Sequence, residues 1–124
     1  MNRYRNLEAA VNRSIAVWKS GQPEESLSAL LPLAKTHPKD PALQALIGFV
    51  YYDTGKMAEA IPFLEAATTL NPKHELAWRG LFHALWDTGD HVRGLLVART
   101  LAKLTDDPDD RQMLADIEAK YGSA

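Results

Sequence analysis

The sequence predicts an all-α fold: an α-solenoid of stacked helical hairpins, with about seven helices. Three observations carry this. Gly21, Gly55 and Gly89 stand 34 residues apart. An aromatic precedes each at the same offset, so that Trp18-Lys19-Ser20-Gly21, Tyr52-Asp53-Thr54-Gly55 and Trp86-Asp87-Thr88-Gly89 superimpose without a gap. Between these marks, apolar residues recur at spacings of three and four, as in Leu43, Ile47, Val50 and Tyr51 or in Ile61, Leu64, Ala67 and Thr68, and no segment alternates as a strand does.

Each element follows from local chemistry. The three glycines sit where a helix must stop and the chain must turn, and glycine tolerates the left-handed conformation used there. Pro38 and Pro72 lie 17 residues after their glycines, each followed by lysine, and Pro108 comes two residues late in its copy. Such prolines separate units at little cost, because the missing N–H falls outside a helix. Pro23 fits the first turn of its helix. Helices are therefore expected near 4–20 and 23–36, 41–54 and 57–70, 75–88 and 91–104, then 109–121. Pro32 and Pro62 fall inside two of them and should bend those helices or mark earlier starts.

The bulk properties narrow the function. A chain of 124 residues supports one domain with a real core. Its net charge of −2 argues against nucleic acid as the main partner. The charge is uneven: residues 1–105 carry 12 Lys+Arg against 10 Asp+Glu, and residues 106–124 carry 2 against 6. With no cysteine, a disulfide framework and a Cys-based zinc site are excluded. No apolar stretch follows Met1-Asn2-Arg3-Tyr4-Arg5-Asn6 and no run is long enough to span a bilayer, so a cytoplasmic protein with no membrane association is expected.

The second copy, Asp40 to Pro72, resembles the tetratricopeptide repeat (TPR). That family favours an aromatic, Leu, a small residue and Tyr in its first helix, then Ala, an aromatic, Ala and Pro. Copy two offers Gln44, Ile47, Gly48 and Tyr51, then Ala60, Leu64, Ala67 and Pro72. Copy three offers Trp78, Leu81, Phe82 and Leu85, then Gly94, Ala98 and Leu101; copy one is weaker, with Ala10, Arg13, Ser14 and Val17, then Ser26, Leu30, Leu33 and Pro38. The resemblance implies one TPR-like domain over 1–124, with repeats at about 7–40, 41–74 and 75–108 and a capping helix at 109–121. The small positions should pair across each hairpin as Ser14 with Ser26, Gly48 with Ala60 and Phe82 with Gly94. Met113, Leu114, Ile117 and Tyr121 form the apolar stripe of the cap, and Asp109 and Asp110 suit its N-terminus.

In this family the first helix of each repeat lines an inner, concave surface. The matching positions are Glu8, Val11, Ile15, Trp18 and Lys19; Ala42, Ala45, Phe49, Tyr52 and Asp53; Leu76, Arg79, His83, Trp86 and Asp87. Periodicity supports this, since Ile47 and Tyr51 share one stripe and Ala45, Phe49 and Tyr52 an adjacent one that nothing inside the hairpin buries. The expected ligand surface is thus Phe49, Tyr52 and Trp86, extended by Ile15 and Trp18, with Arg79, His83 and Asp87 setting its polarity. The competing reading makes Trp18, Tyr52 and Trp86 core residues. A family subclass clamps acidic chain ends with Lys, Asn, Asn, Lys and Arg; the matching residues here are Val11, Ile15, Phe49, Arg79 and His83, which do not resemble that clamp.

No catalytic constellation is apparent. There is no Gly-rich phosphate loop and no His-Glu-x-x-His motif. His83, Asp87 and His91 are the nearest thing to a metal set, and a surface or groove role is expected for them, with no metal or cofactor. The expected function is a non-catalytic interaction module holding an apolar or amphipathic protein segment. It could serve as a bacterial secretion chaperone or adaptor, as a toxin-neutralising immunity protein, or as a self-assembling structural protein.

Overall fold

The structure, a computed structural model, describes residues 3–122. The outermost residues of the unit drawn from the sequence, 1–2 and 123–124, lie outside the described residues. Among the described residues there are seven helices and no strand: α1 (Arg3–Lys19), α2 (Pro23–Thr36), α3 (Pro41–Asp53), α4 (Met57–Leu70), α5 (Glu75–Asp87), α6 (His91–Leu104) and α7 (Pro108–Tyr121). Each packs on its successor, and α3 also touches α5, so the hairpins stack in chain order.

The 34-residue period reappears as repeated local chemistry. Gly21, Gly55 and Gly89 have φ of 89°, 78° and 87°, the left-handed conformation that an L side chain resists. The hydroxyls of Ser20, Thr54 and Thr88 donate to the carbonyls of Val17, Tyr51 and Leu85, closing the same last turn three times. Side-chain N–H groups of Gln44 and Trp78 donate to the carbonyls of Pro38 and Pro72, tying two inter-repeat turns to the following helix. Asp40, His74, Asp90 and Asp107 each accept a backbone N–H at a helix start.

Helices α2 and α4 run through Pro32 and Pro62. The carbonyls deprived of a partner are those of Ser28 and Ala58, on exposed residues where water takes over. The core has two large centres and a small alanine cluster of Ala45, Ala67 and Ala77. Leu27, Leu30, Leu43, Ile47 and Val50 form the first, and Leu64, Leu81, Phe82, Leu85 and Leu101 the second, with Tyr51 packed on both. Each buried Leu or Ile contributes about 1.5–3 kcal/mol of transfer free energy.

At the small positions the structure shows one expected pair and two large neighbours. Ser26 does meet Ser14, donating its hydroxyl to the Ser14 carbonyl at 2.8 Å. A Cβ on Gly48, however, would lie 2.6 Å from Leu64 Cγ, and one on Gly94 would lie 2.9 Å from Trp86 Cε3. Helices pack obliquely, so the residue filling a small site comes from the neighbouring turn of the facing helix.

The last helix closes the stack. Leu114 is buried in the second core, and Met113 and Ile117 pack against it. Arg79 of α5 pairs with Asp110, which also accepts from the Thr105 hydroxyl at 3.3 Å. The acidic end of the chain is therefore partly a docking device and not solvation alone.

Candidate functional site

The inner positions of α1, α3 and α5 form a trough with two adjoining hollows. One, of about 450 Å³, is walled by Val11 and Ile15 of α1, by Ala42, Ala45 and Leu46 of α3, and by His74. The other, of about 400 Å³, is walled by Trp18, Tyr52, Asp53, Leu76, Arg79, Gly80 and His83. Phe49 belongs to both and stands between them.

The next repeat shapes this surface. Ala45 is buried against Ala67 and Ala77, and Phe49 packs on the same cluster. The Phe49 ring reaches over α5, where a Cβ on Gly80 would meet its Cε1 at 3.3 Å, and it stands edge-on to His74 at 6.5 Å. The stripe that nothing inside its hairpin buries is thus partly buried by α5. Trp18, Phe49 and Tyr52 keep part of their surface open.

The electrostatics lean negative. Tyr52 lies edge-on to His83 at 6.4 Å. Burial pushes its phenol above the ordinary value, and the charges of Asp87 and Asp53 push it further the same way. Arg79, which would set a positive end, is held by Glu75 at 2.9 Å and by Asp110. Its guanidinium stays firmly charged, since those carboxylates outweigh its partial burial. The charge it shows to the trough is largely compensated.

Of the eight expected ligand residues, Ile15 lies in the first hollow, and Trp18, Tyr52, Arg79 and His83 in the second, with Phe49 shared. Asp87 is exposed at the end of α5 and acts on Tyr52 through its field. Trp86 departs from the expectation. Its ring stacks on His91 at 4.2 Å, packs on Phe82 at 5.6 Å and meets the edge of Tyr121 at 5.1 Å, and it lines neither hollow. Asp53 and Leu76 do line the trough, and their repeat positions had already marked them as inner. His74 and Leu46 were missed, because a cap and a core residue give no periodic signal for an inner face.

The candidate metal set is divided. His83 faces Tyr52 and Phe82, while His91 lies on Trp86. No group of three or more potential ligands gathers among the described residues. A larger hollow of about 760 Å³ lies between α6 and α7, with the Arg99–Glu118 ion pair among its lining residues. No helix among the described residues is long and apolar enough to cross a membrane.

Comparison with known proteins matches this architecture. The chain superimposes with a TM-score of 0.80 on the first TPR of Spaghetti (RPAP3) bound to the HSP90 peptide SRMEEVD, at 16% identity, over 93% of this chain and 92% of that one. The Yersinia enterocolitica type III secretion translocator chaperone SycD gives a TM-score of 0.80 at 13% identity, covering 99% and 86%. The Sgt2 TPR domain from Aspergillus fumigatus gives 0.78 at 16%, covering 93% and 78%. At such identities the likeness is one of fold, and the fold is the tetratricopeptide-repeat stack with a capping helix. By sequence, the chain is 25% identical over 88 residues to a barley (Hordeum vulgare) protein named "Probable UDP-N-acetylglucosamine--peptide N-acetylglucosaminyltransferase SPINDLY". The match takes in 71% of this chain and about 9% of that protein's length. No protein-family profile matches the chain.

Proposed function

We propose that this tetratricopeptide-repeat stack is a non-catalytic binding module that holds an apolar or amphipathic segment of another protein in its inner trough. The observation that carries the reading is the pair of adjoining hollows, about 450 and 400 Å³, joined at Phe49 and flanked by partly open Trp18 and Tyr52. A small protein that leaves aromatic side chains along one concave strip keeps a surface suited to a partner.

The neighbours support the class of function. One is a TPR solved with a bound peptide and another is a secretion chaperone. A chaperone for a secreted protein is the finer form of the proposal that suits this architecture. The transferase name of the barley protein adds nothing catalytic, because the stretch matched is a small part of it.

A paired measurement tests the reading. Tyr52→Ala should weaken partner binding by roughly 30- to 1000-fold, the usual loss of an interface anchor, while the urea midpoint moves little. A sharply lowered midpoint in Tyr52→Ala and Trp18→Ala alike would make these residues core and end the proposal. A second reading, self-association, draws on Val92 and Leu96, which are 77% and 57% exposed and one turn apart on α6. Mass in solution that rises with concentration would favour it.

A further inference from the structure

Two carboxylates beside the trough are badly placed for folding. Asp53 and Asp87 are the last residues of α3 and α5. There the helix carries partial negative charge, which repels a carboxylate and favours a cation. The equivalent residue ending α1 is Lys19, the favoured sign. Neither Asp53 nor Asp87 takes part in any ion pair between described residues. Stability gives no reason for either of them.

Their fields meet at one place. Both act on the Tyr52 phenol, and Asp53 shares with Trp18, Phe49 and Tyr52 the walls of the 400 Å³ hollow. Arg79 is the one lysine or arginine described on those walls, and Glu75 and Asp110 already hold it. What remains is a recess with three aromatic side chains and uncompensated negative charge. Aromatic faces attract cations, and a carboxylate beside them adds to the attraction. The adjoining hollow adds Glu8 and Asp40.

We propose that this recess seats a cationic side chain, lysine or arginine, of the bound segment, with Asp53 on its wall as the counter-charge and Asp87, at the end of the neighbouring α5, reinforcing it from outside. The proposal rests on the trough being a binding groove and names the chemistry of its occupant: a basic, apolar stretch of protein. It is opposite in sign to the acidic peptide held by the RPAP3 repeat. The aromatics supply contact area and the carboxylates select charge.

Selection from a displayed library of random peptides of about twelve residues, up to roughly 40 Å when extended, tests it. Peptides count as groove ligands when Tyr52→Ala or Trp18→Ala abolishes their capture. We expect them to carry Lys or Arg flanked by apolar residues. Replacing that residue by methionine should weaken binding about 10-fold, as should Asp53→Asn with Asp87→Asn. The double variant should fold as well as the parent or better, which a structural role for these carboxylates would not allow. Exchanging Lys and Arg in the peptide shows which the recess prefers. Groove ligands that are acidic or uncharged, or that bind the double variant undiminished, would overturn the inference and leave the groove intact. A library yielding no ligand sensitive to Tyr52 or Trp18 would overturn both.

Discussion

Tyr52 and Trp86 occupy the same position in successive repeats and both pack, partly buried, on the second core, yet their open sides meet different surroundings. Tyr52, with Trp18, borders the open trough. Trp86 lies under His91 and Tyr121 and beside Gly94. The cause is visible one helix further on. His91 and Gly94 lie against Trp86, and the matching residues of the earlier second helices are Pro23 and Met57, and Ser26 and Ala60. Only the third repeat combines a flat ring with a missing side chain, and the indole settles into that space. Helix α7 then closes its edge. A repeat position therefore fixes which way a helix face points, while the facing helix and the next unit decide what covers it.

Removing residues 108–124 should break the contrast most severely. It strips Leu114 from the core, Tyr121 from Trp86 and Asp110 from Arg79. Melting followed by circular dichroism should fall by about 10 °C or more, or the chain should aggregate. An unchanged melting temperature would show that α7 protects nothing. Trp86→Ala comes next, with an expected loss of about 2–4 kcal/mol in urea unfolding, against about 1 kcal/mol or less for Tyr52→Ala, whose exposed part forfeits little. Equal losses would erase the distinction between the two.

Adding a methyl group sharpens it further. Gly48→Ala drives a Cβ against Leu64, which is fully buried and has nowhere to go. Gly94→Ala drives one against Trp86, which is only partly buried. We expect about 2 kcal/mol for the first and about 1 kcal/mol for the second, with red-shifted tryptophan emission only in the second as the indole moves outward.

The Tyr52 phenol gives a smaller effect with a definite sign. Burial, then Asp87, then Asp53 raise its pKa above the ordinary 10.0. The folded state therefore holds this proton more tightly than the unfolded chain does. The resulting stability is complete below pH 10.0 and is lost as pH rises through the folded value. Absorbance titration should find Tyr52 ionising late, and Asp87→Asn should bring it back towards the ordinary value. The least effect is expected from zinc: calorimetry should detect no stoichiometric binding that depends on His83, because His83 and His91 face different neighbours.

Much of this was legible in the residues. The helix limits read from glycine and proline spacing agree with those found to about one residue, since turn chemistry is local and repeats three times. The inner face of α3 could be read from its second apolar stripe. What escaped was everything that depends on a neighbouring helix. Leu64 crowds the space beside Gly48, and Arg79 is held by an aspartate 31 residues further on.

The sequence by itself determined the period, the seven helices and their turns, because these follow from backbone preferences and a 3.6-residue repeat. Only the tertiary structure decided that Phe49 is half covered by α5, that Trp86 packs among His91, Phe82 and Tyr121 while Tyr52 borders a hollow, and that Arg79 spends its charge on α7. Those outcomes depend on distances between helices, and such distances are set by side-chain volumes meeting across an interface, which no single segment of the chain contains.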